Sequence, residues 1–70
     1  MVKQMKIDGM SCSHCVNAVI SALGVIEGVQ AAVDLEEGIA TVTMDREVPD
    51  QTLIDAVTDE GYTVKSVWEV

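Results

Sequence analysis

The spacing of apolar residues along the chain changes several times, and each change marks an element. Met5 and Ile7 alternate with Lys6 and Asp8, which predicts a short half-buried strand stopping at Gly9. Beyond the segment from Met10 to Cys15, Val16, Val19, Ile20 and Leu23 recur at i, i+3, i+4 and i+7. That is one face of an amphipathic helix, ended by Gly24. From Val29 the period drops to two. Val29, Ala31, Val33 and Leu35 share a face, Glu36-Glu37-Gly38 form a turn, and Ala40, Val42 and Met44 resume the alternation. The pattern predicts a β-hairpin. Pro49-Asp50 opens a second helix with Asp50 as its N-cap, Leu53, Ile54 and Val57 facing inward, and Gly61 closing it. Tyr62 to Val67 returns to a strand pattern with Val64 inward, and Trp68 is expected at the periphery.

The order β-α-β-β-α-β predicts a ferredoxin-like α+β sandwich, a four-stranded antiparallel sheet with two helices on one face. Residues 1–70 read as a single domain, since no linker or low-complexity stretch interrupts the pattern. Both βαβ crossovers return parallel to where they began, so the second strand ends, and the second helix finishes, at the end where the first strand stops. The loop Met10–Cys15, the turn Glu36–Gly38 and the corner Gly61-Tyr62 are therefore expected at one pole.

Composition narrows the function. Twelve Asp and Glu against four Lys and Arg give a net charge of -8, which argues against nucleic-acid binding and against anionic membranes. At 49% hydrophobic the chain is too apolar for an acidic disordered tail. No stretch approaches the roughly 20 apolar residues of a membrane span, and no secretory leader is visible, so a cytoplasmic location is expected. Thiols stay reduced there, and two cysteines read as metal ligands or redox groups rather than as a structural staple.

Gly9-Met10-Ser11-Cys12-Ser13-His14-Cys15 carries the candidate chemistry. Two thiols at C-x-x-C spacing, the second entering a helix, can converge on one soft ion. The helix N-terminus favours thiolates, so Cys15 is expected to have a depressed pKa. Thiolates select Cu(I), zinc and related ions by softness. Structural zinc takes four ligands, whereas Cys12, Cys15 and His14 supply three at most, which suits a low-coordinate ion such as Cu(I). The competing reading is a thiol-disulfide redox pair, a fold that needs a longer chain.

This segment, set between a first strand and a first helix, resembles the metal-binding motif of the heavy-metal-associated domain family. The Gly28-Val29 pair, the hairpin and the Gly61-Tyr62 corner extend the resemblance over nearly the whole chain. Within the family the chain is most similar to the free bacterial copper chaperones. The resemblance implies Cu(I) held by Cys12 and Cys15, with Ag(I), Zn(II) or Hg(II) as substitutes in vitro. It implies transfer by ligand exchange to the metal-binding domain of a copper-transporting P-type ATPase, with a copper-responsive regulator as a further partner and no enzymatic step. Relatives that handle zinc or cadmium often carry Asp before the first cysteine; Ser11 stands here. Tyr62 follows the second-helix glycine where ATPase-embedded domains more often carry Phe. A detached N-terminal domain of a heavy-metal ATPase is the alternative within the family.

The neighbouring residues have plainer expected roles. The family counterpart of Met10 packs beneath the loop, and Ser11 and Ser13 flank the ligands. His14 is assigned to solvent, with a third-ligand role in a copper-bridged dimer as the alternative to a monomer. Tyr62 is expected close to the sulfurs, either donating a hydrogen bond or capping the core. Glu36, Glu37, Asp59 and Glu60 should rim the thiol pole and steer a basic partner onto it.

Overall fold

Backbone hydrogen bonding reproduces the expected order of elements. The computed structural model describes residues 1–70. Its elements are β1 (Val2–Asp8), α1 (Ser13–Gly24), β2 (Val29–Asp34), β3 (Ile39–Met44), α2 (Asp50–Thr58) and β4 (Thr63–Glu69). The strands form one antiparallel sheet in the order β2-β3-β1-β4, the ferredoxin-like arrangement.

Period-two alternation sends Met5 and Ile7 of β1, Ala40, Val42 and Met44 of β3 and Val29 of β2 to one face of the sheet. There they meet Val19 and Leu23 of α1 and Leu53 and Val57 of α2. Val48, in the connection before α2, completes this core of 11 residues, which Val64 and Val67 of β4 cover from the edge. Ile20 and Ile54, expected to face inward, are only half-buried and join neither the core nor the residues packed against it. The second face of the sheet carries Gln4, Thr41 and Trp68, joined by hydrogen bonds from Trp68 Nε1 to Gln4 Oε1 (3.1 Å) and from Gln4 Nε2 to Thr41 Oγ1 (3.2 Å).

Four local expectations change. Helix α1 starts at Ser13 rather than at Cys15, because extended Cys12 acts as N-cap and its carbonyl already accepts from the N–H groups of Cys15 and Val16. The N-cap of α2 is Pro49 and not Asp50. The Pro49 carbonyl accepts from Thr52 and Leu53, while the Asp50 carboxylate turns to the ammonium of Lys3. That ammonium lies on a nearly buried side chain and also donates to Val48 O at 3.2 Å. Leu35 falls outside β2 and is exposed in the turn. Strand β4 runs on to Glu69 and includes Trp68. An irregularity opposite Lys6 and Ile7 shifts the register, so Val64 and Val67, three apart, both face the core.

Candidate metal centre

The site is assembled where β1 gives way to α1. Gly9 adopts φ +96°, a conformation that side chains resist, and the chain there passes close to the Tyr62 ring. Met10 is half-buried and packs against the core, which anchors the loop from below. Ser11, Cys12, Ser13 and His14 are exposed. Cys12 caps α1 through its backbone alone: its φ of -156° and ψ of 173° are extended, and no side chain bonds the first-turn amides. The Cys12 sulfur is thereby left free, and no acidic residue occupies the first turn to compete for the positive end of the helix.

Cys12 Sγ and Cys15 Sγ stand 3.6 Å apart, both unpaired, with Cys12 exposed and Cys15 half-buried. The Cys15 thiol is pushed down from 9.0 to about 6. Hydrogen bonding from the Ser11 backbone is the largest cause, followed by the Tyr62 hydroxyl and the Cys12 thiol, against an opposing effect of burial. The Tyr62 hydroxyl is pushed up in return, chiefly because it donates to Cys15. Tyr62 packs on the core, and its ring lies beside the start of the cysteine loop. His14 stands exposed on the first turn of α1, and no third His, Cys, Asp or Glu converges with the two sulfurs.

The three connections do meet at this end. Ile7 N–H donates to Gly38 O at 2.8 Å, tying the β2–β3 turn to the last residues of β1. The acidic side chains of Glu36, Glu37, Asp59 and Glu60 are all exposed, and the charge of Glu60 contributes to raising Tyr62. Sequence reading missed two residues at this pole. Lys6 donates its ammonium to Glu37 O, and the Asp34 carboxylate accepts from Glu37 N–H at 3.1 Å. The second was signalled by Asp34 at the head of the run Asp-Leu-Glu-Glu-Gly, an Asx-type turn; the first depends on long-range pairing.

Chemically, the pair offers two converging soft donors at the surface, one ionised near neutrality, with open space for an incoming ligand. The largest groove of the molecule, about 540 Å³, runs between α1 and α2; Asp59 and Glu60 are among its lining residues, and neither cysteine is.

Comparison with known proteins agrees with this geometry. Residues 4–63 match the heavy-metal-associated domain. The chain is 42% identical over 64 residues to the copper chaperone CopZ of Bacillus subtilis, covering 89% of this chain and 93% of that protein. Its fold superimposes on a CopZ metallochaperone with a TM-score of 0.87 at 42% identity, covering 91% of this chain and 98% of the other. A copper-binding domain from a P-type ATPase follows with a TM-score of 0.82 at 30% identity, covering 100% and 95%. The chain belongs to the heavy-metal-associated domain family.

Proposed function

We propose that this chain is a cytoplasmic Cu(I) chaperone, acting as one heavy-metal-associated unit over residues 1–70. It carries one copper ion between Cys12 and Cys15 and passes it to the metal-binding domain of a copper-transporting P-type ATPase. The observation that carries this reading is the unpaired sulfur pair, 3.6 Å apart at the exposed N-terminus of α1. Its weight comes from relatives that are themselves copper chaperones over nearly their whole length.

The cargo follows from donor softness: two thiolates without a hard oxygen or a fourth ligand favour Cu(I) over Zn(II). Transfer needs no bond making in an organic substrate. One thiolate of the acceptor's own cysteine pair attacks the ion at the exposed Cys12 side, a three-coordinate intermediate forms and one sulfur of this chain leaves; the acceptor's second thiolate then displaces the other. Cys15, ionised near pH 7, loads without displacing a proton, and Tyr62 and the Ser11 backbone moderate its charge. Met10 holds the loop from beneath, and Glu36, Glu37, Asp59 and Glu60 draw a basic acceptor toward the pole. Ser13 and His14 remain on the solvent side; the apo chain is a monomer, and a copper-bridged dimer with His14 as third ligand is the alternative for the loaded form.

Likeness to an ATPase copper-binding domain supports a second reading, in which the same site receives copper within a transporter. Titration with Cu(I), Ag(I) and Zn(II) under competition, read by native mass spectrometry, tests the shared core of both. The expected result is one Cu(I) per chain, displaced by Ag(I) and not by Zn(II). Preferential Zn(II) loading, or a Cys12–Cys15 disulfide turning over on protein substrates, would overturn it.

A further inference from the structure

The connection between β2 and β3 is held more firmly than a short exposed turn requires. Gly38 N–H donates to Asp34 O at 2.8 Å, Glu37 N–H to Asp34 Oδ1 at 3.1 Å, and Ile7 N–H to Gly38 O at 2.8 Å. The Lys6 ammonium adds a bond to Glu37 O. Gly38 sits at φ +70°, where a Cβ would lie 3.2 Å from Ile7 O and 3.4 Å from Lys6 Nζ, so nothing larger fits without moving the clamp. These bonds fix backbone whose side chains point outward.

What the turn displays is specific. Continued alternation from Val29, Ala31 and Val33 would bury Leu35; the turn instead leaves it 39% exposed, with Glu36 and Glu37 beside it. The other large apolar side chains that are exposed are Met1, Val25, Trp68 and Val70. Met1 and Val70 lie at the opposite end with the start of β1, Val25 follows the far end of α1, and Trp68 pairs with Gln4 on the open sheet face. Leu35 alone marks the thiol pole.

We propose that this turn is a prebuilt docking element for the copper acceptor, with Leu35 as its apolar anchor and Lys6 as the positioning residue that holds it. The inference rests on the reading that the chain hands copper to another protein. Its partner is a protein surface offering an apolar recess bordered by Lys or Arg beside its own thiol pair. Interfaces commonly set one apolar anchor inside a polar rim. A rigid anchor binds more tightly because little is left to order on docking.

Lys6 separates this idea from electrostatic steering. Replacing Lys6 by Met removes a cation from an acidic pole, so steering alone would speed capture by a basic acceptor. Loss of the clamp would slow it.

The test compares Cu(I) release from the loaded chain to two acceptors: the soluble metal-binding domain of a copper-transporting P-type ATPase, and a small chelating dye that needs no docking. Leu35→Ser is expected to slow transfer to the protein about tenfold and Lys6→Met about threefold. Release to the dye and Cu(I) affinity should stay unchanged, which also reports that both variants are folded. Equal transfer to the protein by Leu35→Ser and the unsubstituted chain, with tight Cu(I) binding intact, would overturn the inference alone. A Lys6→Met variant that transfers faster would reduce the turn to steering and overturn the positioning role. Failure of the unsubstituted chain to hold Cu(I) against the dye would instead overturn the chaperone reading beneath it.

Discussion

Cys15 owes its behaviour to neighbours rather than to its own chemistry. The Ser11 backbone, the Tyr62 hydroxyl and the Cys12 thiol all favour its ionised form, and together they outweigh a burial effect that favours the thiol. A thiol lowered from 9.0 to about 6 is largely ionised at pH 7. Because the folded value lies below the unfolded one, ionisation contributes stability that is fully present above pH 9 and is lost as pH falls through about 6. Thiolate absorbance of the apo protein should therefore show one cysteine titrating near pH 6, and Tyr62→Phe should move that midpoint upward. A midpoint near 9 in the unsubstituted chain would contradict the geometry described. The spacing of the cysteines and their place before a helix were legible in the sequence. The nearness of Tyr62 was expected from the fold's topology, whereas support from the Ser11 backbone depends on a loop conformation that no residue pattern encodes.

At the scale of elements, the periodicities located all six, because each helix and strand buries one face and so repeats its apolar residues at its own period. Errors arose where tertiary contacts overrode local preference. Asp50 has the chemistry of an N-cap, yet its carboxylate is taken by Lys3, a lysine that alternation places on the core face of β1. That pairing holds Lys3 above its ordinary pKa, so its contribution to stability is present below about pH 10.5 and is lost as pH rises through the raised value. The irregularity in β4 broke the alternation that would have set Val67 outward. Glycines in the connections mark tighter constraints. At Gly28, with φ +80°, a Cβ would sit 2.1 Å from Asp45 Oδ1 and 2.8 Å from its Cγ. Gly28→Ala combines that clash with backbone strain at positive φ, and should cost about 1–3 kcal/mol in a denaturant titration. A variant as stable as the unsubstituted chain would show that the β3–α2 corner relaxes freely.

Across the whole molecule, charge is distributed so that the cations are already occupied. Lys3 pairs with Asp50, Arg46 with Asp45 and Glu27, Lys65 with Asp8, and Lys6 holds the Glu37 carbonyl. The acids at the thiol pole, Glu36, Glu37, Asp59 and Glu60, take part in none of these pairs and set the sign of the field that an approaching partner meets. Transfer to a basic acceptor should accordingly slow as ionic strength rises, since exposed charges are screened beyond about 10 Å at 0.1 M salt. A rate independent of salt would remove steering from the mechanism. A small core of 11 residues suffices because the fold has one task, to carry a thiol pair on a positioned loop at one end. The central claim is that this pair binds the metal, and Cu(I) affinity measured against a competing chelator tests it most directly. The unsubstituted chain should hold one Cu(I) tightly, while Cys12→Ser and Cys15→Ser, folded as before, should lose that affinity; tight binding retained by the monomeric double variant would contradict the account.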